Sequence, residues 1–139
     1  MDERKELLEE FAQKFLDLGK FLDFSKYEIK TECQSSSIYL LKDSNNKYSL
    51  QLEIEWRECD CFLYLVRLEN GKIPKDFFYA YKNGEWCRKY IEDIYSKKNS
   101  VYIEKSSMRY TKEFLECKFE FYAHLIQNNP KPIRKIIEE

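Results

Sequence analysis

Tyr48-Ser49-Leu50-Gln51-Leu52-Glu53-Ile54-Glu55-Trp56-Arg57 is the stretch that decides the fold. Tyr48, Leu50, Leu52, Ile54 and Trp56 fall on one side of an extended chain, and Ser49, Gln51, Glu53, Glu55 and Arg57 on the other. A two-residue period of this kind describes a strand with one buried and one solvated face. After a tight reversal near Glu58, the apolar run Cys61-Phe62-Leu63-Tyr64-Leu65-Val66 reads as a strand central in the same sheet.

Further strands precede this pair. Tyr27, Ile29, Thr31 and Cys33 alternate with Glu28, Lys30 and Glu32, and Ile38 to Leu41 lies between Ser35-Ser36-Ser37 and the polar turn Asp43-Ser44-Asn45-Asn46. Asn70-Gly71 and Asn83-Gly84 are hairpin signals, because both turn positions tolerate positive φ. Residues 76–82 suit either a strand or a helical turn. Residues 101–103 read as one more short strand.

Helices flank the strands. Leu7, Leu8, Phe11, Ala12, Phe15, Leu18, Gly19 and Leu22 recur at three- and four-residue spacing, which predicts an amphipathic helix over 3–24. Gly19 falls inside its apolar stripe, where it either admits a close neighbour or weakens the helix. The period of 3.6 returns with Trp86, Cys87, Tyr90, Ile91, Ile94 and Tyr95, predicting a helix over 86–97. A longer helix is expected over 107–127, ended by Asn128-Asn129-Pro130, and a short one over 132–139. No linker or repeat divides residues 1–139. The expected architecture is α+β in one domain: an N-terminal amphipathic helix, an antiparallel meander of about four to six strands, and C-terminal helices packed on one face.

Composition narrows the function classes. Aromatic residues make up 17% of the 139, which places the chain among folding sequences. Its net charge of −1 gives no global attraction to nucleic acid or anionic lipid. The charge is uneven, however: residues 1–60 hold 9 Lys/Arg against 14 Asp/Glu, whereas 61–139 hold 15 against 11. The N-terminus shows no secretory signal, and no apolar run is long enough to span a bilayer. The 5 cysteines are odd in number and scattered, which suits a reducing cytoplasm rather than a disulfide framework. Abundant Lys, Glu, Tyr and Ile with only 3 Gly and 3 Pro correspond to AT-rich codons and a low-GC bacterial source.

Reactive groups are sparse. The lone His124 lies two helical turns from Cys117, about 10 Å at the rise of an α-helix, too far for a nucleophile and its base. Cys59 and Cys61 would share a strand face and reach one zinc ion, but no Cys-x-x-Cys supplies the other ligands, so packing is the expected role. Glu53 and Glu55 lie about 7 Å apart along one strand face, an acid pair that reads as solvated surface before it reads as acid–base chemistry. Three isolated glycines build no phosphate loop. Arg88, Lys89, Lys97 and Lys98 near tyrosines are the candidates for a nucleic-acid contact, opposed by the apolar placement of those tyrosines and the lack of an RNA-binding signature. No enzyme, cofactor or metal is therefore expected. The remaining cluster, Glu53, Glu55, Trp56, Glu58 and Asp60, joins acids to an aromatic as protein interfaces do, and is the candidate partner-binding site.

In its leading amphipathic helix (3–24), its alternating strand ending at Trp56 and its closing helices, the chain resembles the small bacterial immunity proteins paired with polymorphic or contact-dependent toxins. That resemblance implies a cytoplasmic protein that inhibits by covering a toxin active site, with the toxin domain as partner. Two other readings stay open: a small-molecule-binding domain with an aromatic-lined pocket, and a nucleic-acid adaptor.

Overall fold

The computed structural model describes residues 3–32, 36–43, 45–56, 60–72, 81–82, 84–95 and 111–138. Helix α1 (Glu3–Phe21) is followed by strands β1 (Phe24–Glu32), β2 (Ser36–Asp43), β3 (Tyr48–Glu55) and β4 (Asp60–Arg67). Three short strands, β5 (Tyr81–Lys82), β6 (Glu85–Trp86) and β7 (Arg88–Tyr90), lead into α2 (Ile91–Ile94), and α3 (Thr111–Asn128) and α4 (Lys131–Glu138) close the fold. The main sheet has the order β1-β2-β3-β4-β7, antiparallel throughout, and β5 pairs with β6 separately. This is the α+β meander expected from the alternating strands.

Tyr48, Leu50, Leu52 and Ile54 of β3 are buried on one face, beside Tyr39 and Leu41 of β2 and Cys61, Leu63 and Leu65 of β4. The helices cover that face with Phe11, Phe15 and Leu18 of α1, Leu115, Phe119 and Tyr122 of α3, and Ile133 of α4, all in one contiguous core. Phe11 stacks on Phe119 with ring centroids 5.5 Å apart, and Phe15 meets Tyr39 at 6.4 Å. Truncating such a core phenylalanine to alanine costs about 3–5 kcal/mol.

Turn chemistry sets the register. Asp43 Oδ1 accepts from the amides of Lys47 (2.7 Å) and Tyr48 (3.0 Å), closing the β2–β3 hairpin. Asn70 and Gly71 both take positive φ, 52° and 75°, which forms the tight reversal that the Asn-Gly pair predicts. Gly19 admits a close neighbour: a Cβ there would lie 2.2 Å from Leu41 Cδ1 and 2.9 Å from the Phe24 carbonyl oxygen.

Three expectations need correction. The first helix stops at Phe21 rather than Phe24, because Asp23 turns to φ 66° and Phe24 opens β1. Of the helix expected over 86–97, the described residues 86–95 form instead the end of β6, β7 and a single turn of helix over Ile91–Ile94, and 96–97 lie outside the described residues. The reason is tertiary: the outer edge of β4 is open, and residues 87–90 pair with it, the Arg67 amide donating to the Cys87 carbonyl at 2.9 Å. Ser49 and Gln51, expected on a solvated face, are fully buried. The bulky cross-strand neighbours Leu40 and Tyr64 flank Gln51, and both are buried themselves. Of the ambiguous segment 76–82, residues 81–82 are strand; 76–80, 101–103, 107–110 and Cys33 lie outside the described residues. No helix among the described residues is long and apolar enough to cross a membrane.

Candidate functional site

The register of β3 and β4 sets the acidic candidates. Glu55 lies opposite Asp60 and Glu53 opposite Phe62, so all four share the sheet face away from the helices. All are half-buried. Trp56 is separated from them and packs against the core beneath the helices. Glu58 lies outside the described residues. The structure thus gathers three of the five expected site residues, adds Phe62, and removes the tryptophan from their midst.

These acids already have internal partners. Glu53 accepts a hydrogen bond from the Tyr64 hydroxyl, whose titration is pushed upward by burial first and by the Glu53 charge second. Asp60 Oδ1 accepts from Lys118 Nζ at 2.7 Å and from the Cys61 amide at 2.8 Å. Lys118, on α3, also stands 4.3 Å over the Phe62 ring. Nearby, Tyr122 donates to Glu92 at 3.0 Å, and burial, the largest influence on Glu92, raises the titration of its carboxyl above the ordinary glutamate range.

The sulfur and imidazole groups do not converge. Burial pushes the Cys61 thiol up to about 12, and its Sγ lies 3.9 Å from the Leu115 carbonyl oxygen. Cys117 and His124 are both exposed on α3. Among the described residues no group of three or more His, Cys, Asp or Glu is placed to hold a metal ion; Cys59 lies outside them. Comparison of the chain with protein-family models, with curated proteins and with solved structures finds no match. Its chemistry is read from its own residues.

The opposite corner of the sheet holds a grouping that the sequence did not disclose. Arg67 stands 4.3 Å and Lys89 4.9 Å from the Trp86 ring centroid, and Trp86 stacks on Tyr48. The Arg88 guanidinium lies over Tyr64 (4.9 Å) and Tyr90 (5.6 Å). Between β7 with α2 and the helix α4 opens a cavity of about 630 Å³, reached by Arg88, Lys89, Tyr90, Tyr81, Asp93 and Lys135. Arg88 and Lys89, weighed in the sequence as candidates for a nucleic-acid contact but opposed there by the placement of the tyrosines, border a concavity, while Lys97 and Lys98 lie outside the described residues. Lys135 and Tyr81 carried no sequence signal, because each joins the site only through tertiary packing.

Proposed function

We propose that this chain is a non-catalytic protein-binding module, an inhibitor of the immunity type that masks the active site of a toxin or another enzyme. The observation that carries the reading is the shared placement of Glu53, Glu55 and Asp60 with half-buried Phe62 at one end of one sheet face. Acids around an aromatic anchor suit a basic partner: the aromatic supplies contact area and the acids set orientation and encounter rate. A bacterial cytoplasm is the setting that goes with this reading.

The test is retention of a partner by the tagged chain from its native cells, compared with two charge reversals. Glu55→Lys is expected to weaken the complex by about 2–5 kcal/mol, the range for a charge at a desolvated interface. Lys89→Glu, at the opposite corner, is expected to retain the partner. Equal retention by wild type and Glu55→Lys would overturn the assignment of this surface.

A second reading, a small-molecule-binding domain, is favoured by the 630 Å³ cavity, which falls within the size range of ligand pockets and is bordered by Tyr81 and Tyr90.

A further inference from the structure

We infer that the cavity between β7, α2 and α4 binds a small dianion joined to a planar ring, the chemistry of a nucleoside monophosphate. The inference rests on the small-molecule reading and supplies its ligand class.

Charge is the first argument. Arg88, Lys89 and Lys135 border the cavity against a single acid, Asp93, leaving a net of +2. None of the three cations has a carboxylate partner among the described residues. Arg88 and Lys89 are held instead by ring faces, and Arg88 Nε is buried without a hydrogen-bond partner. Like charges around a concave, partly desolvated space repel one another and focus a positive potential into it, and an anion there relieves both effects. A net of +2 matches a phosphate dianion better than a single carboxylate, and an unpaired arginine offers the forked donors that phosphate takes.

Shape is the second argument. Tyr81 borders the cavity and is 69% exposed, the most exposed large hydrophobic residue among those described. Among the described residues no other ring lies against it, whereas Tyr90 already meets Phe62 and Tyr64 edge-on. An unstacked aromatic beside unpaired cations accepts a base on its face while the cations take the phosphate. Ile94 and Ile136 give the cavity apolar walls for the ring edge.

The experiment is calorimetric titration of the full chain with 5′-AMP, adenosine, inorganic phosphate and an adenylate hexamer. Saturable binding of 5′-AMP is expected, with adenosine and phosphate each weaker by about tenfold or more. Tyr81→Ala and Lys135→Gln, both at exposed side chains, should each weaken 5′-AMP by about tenfold. Absence of saturable 5′-AMP binding, adenosine or phosphate equal to 5′-AMP, binding unchanged in both variants, or tighter binding of the hexamer would each overturn the proposal. A parallel thermal-shift screen of neutral metabolites separates the two levels. A neutral compound whose effect is lost in Tyr81→Ala overturns the ligand class and leaves the small-molecule reading standing, whereas no response to any compound overturns both.

Discussion

Lys118 Nζ lies 2.7 Å from Asp60 Oδ1 and 4.3 Å above the ring of Phe62, so one cation of α3 is tied to the open end of β4. The pair is largely out of water, with side-chain exposures of 7% for Lys118 and 19% for Asp60. Removing one partner of such a pair leaves a charge without compensation. Asp60→Ala strands the more deeply buried ammonium and is expected to cost about 3 kcal/mol in denaturant unfolding. Lys118→Ala should cost less, because Asp60 keeps the Cys61 amide and some contact with water. A loss below about 1 kcal/mol for Asp60→Ala would show that the pair contributes little.

Gly19 allows α1 to close onto the sheet. A Cβ at this position would overlap Leu41 Cδ1 and press on the carbonyl of Phe24, which is backbone and yields poorly. Gly19→Ala would ordinarily gain helix propensity of about 1 kcal/mol. Here it is expected to destabilise by about 1–3 kcal/mol, the cost of overpacking. Unfolding midpoints decide between the two signs, and a stabilised variant would contradict the close approach.

Gln51 is fully buried, and neither atom of its amide has a hydrogen-bond partner. An unsatisfied buried polar group of this kind costs about 1–3 kcal/mol. Gln51→Met keeps the length of the side chain and removes the unmet donors and acceptor. The variant is expected to unfold at higher denaturant with an unchanged slope; a lower midpoint would mean that the amide is satisfied in solution.

Glu92 gives the fold a defined response to pH. Burial raises its titration in the folded chain, so the folded state holds the proton more tightly than the unfolded state does. The resulting stability is fully present below the ordinary glutamate range and is lost as pH rises through the raised folded value. Glu92→Gln retains an acceptor for the Tyr122 hydroxyl and has no charge to desolvate. Its melting temperature should exceed that of wild type at about pH 7, and the gap should close towards about pH 4. A variant less stable than wild type at neutral pH would contradict this sign.

What the sequence disclosed depended on how local the cause is. The alternation from Tyr48 to Trp56 is read directly, because its core face is built from its own side chains at a period of two. Asn70-Gly71 declares its turn for the same reason. Trp86, Cys87, Tyr90 and Ile91 misled, since their spacing suits a helix, yet the open edge of β4 offers 87–90 a partner, and that pairing outweighs a local period. The burial of Gln51 was hidden because Leu40 and Tyr64, eleven and thirteen residues away, enclose it. Asp60 was visible as an acid but not as half of an ion pair whose other member, Lys118, is 58 residues distant. The cationic cavity was illegible, since its borders come from β5, β7, α2 and α4.

Inhibition by contact differs from turnover in stoichiometry, and that difference tests the central claim most directly. The activity of the retained partner enzyme is measured while the chain is added in increments up to and beyond one equivalent. Loss of activity in proportion to the chain added, complete near one chain per partner and without covalent change to the partner, is the expected result. Loss at a small fraction of one equivalent, or a chemically altered partner, would contradict it.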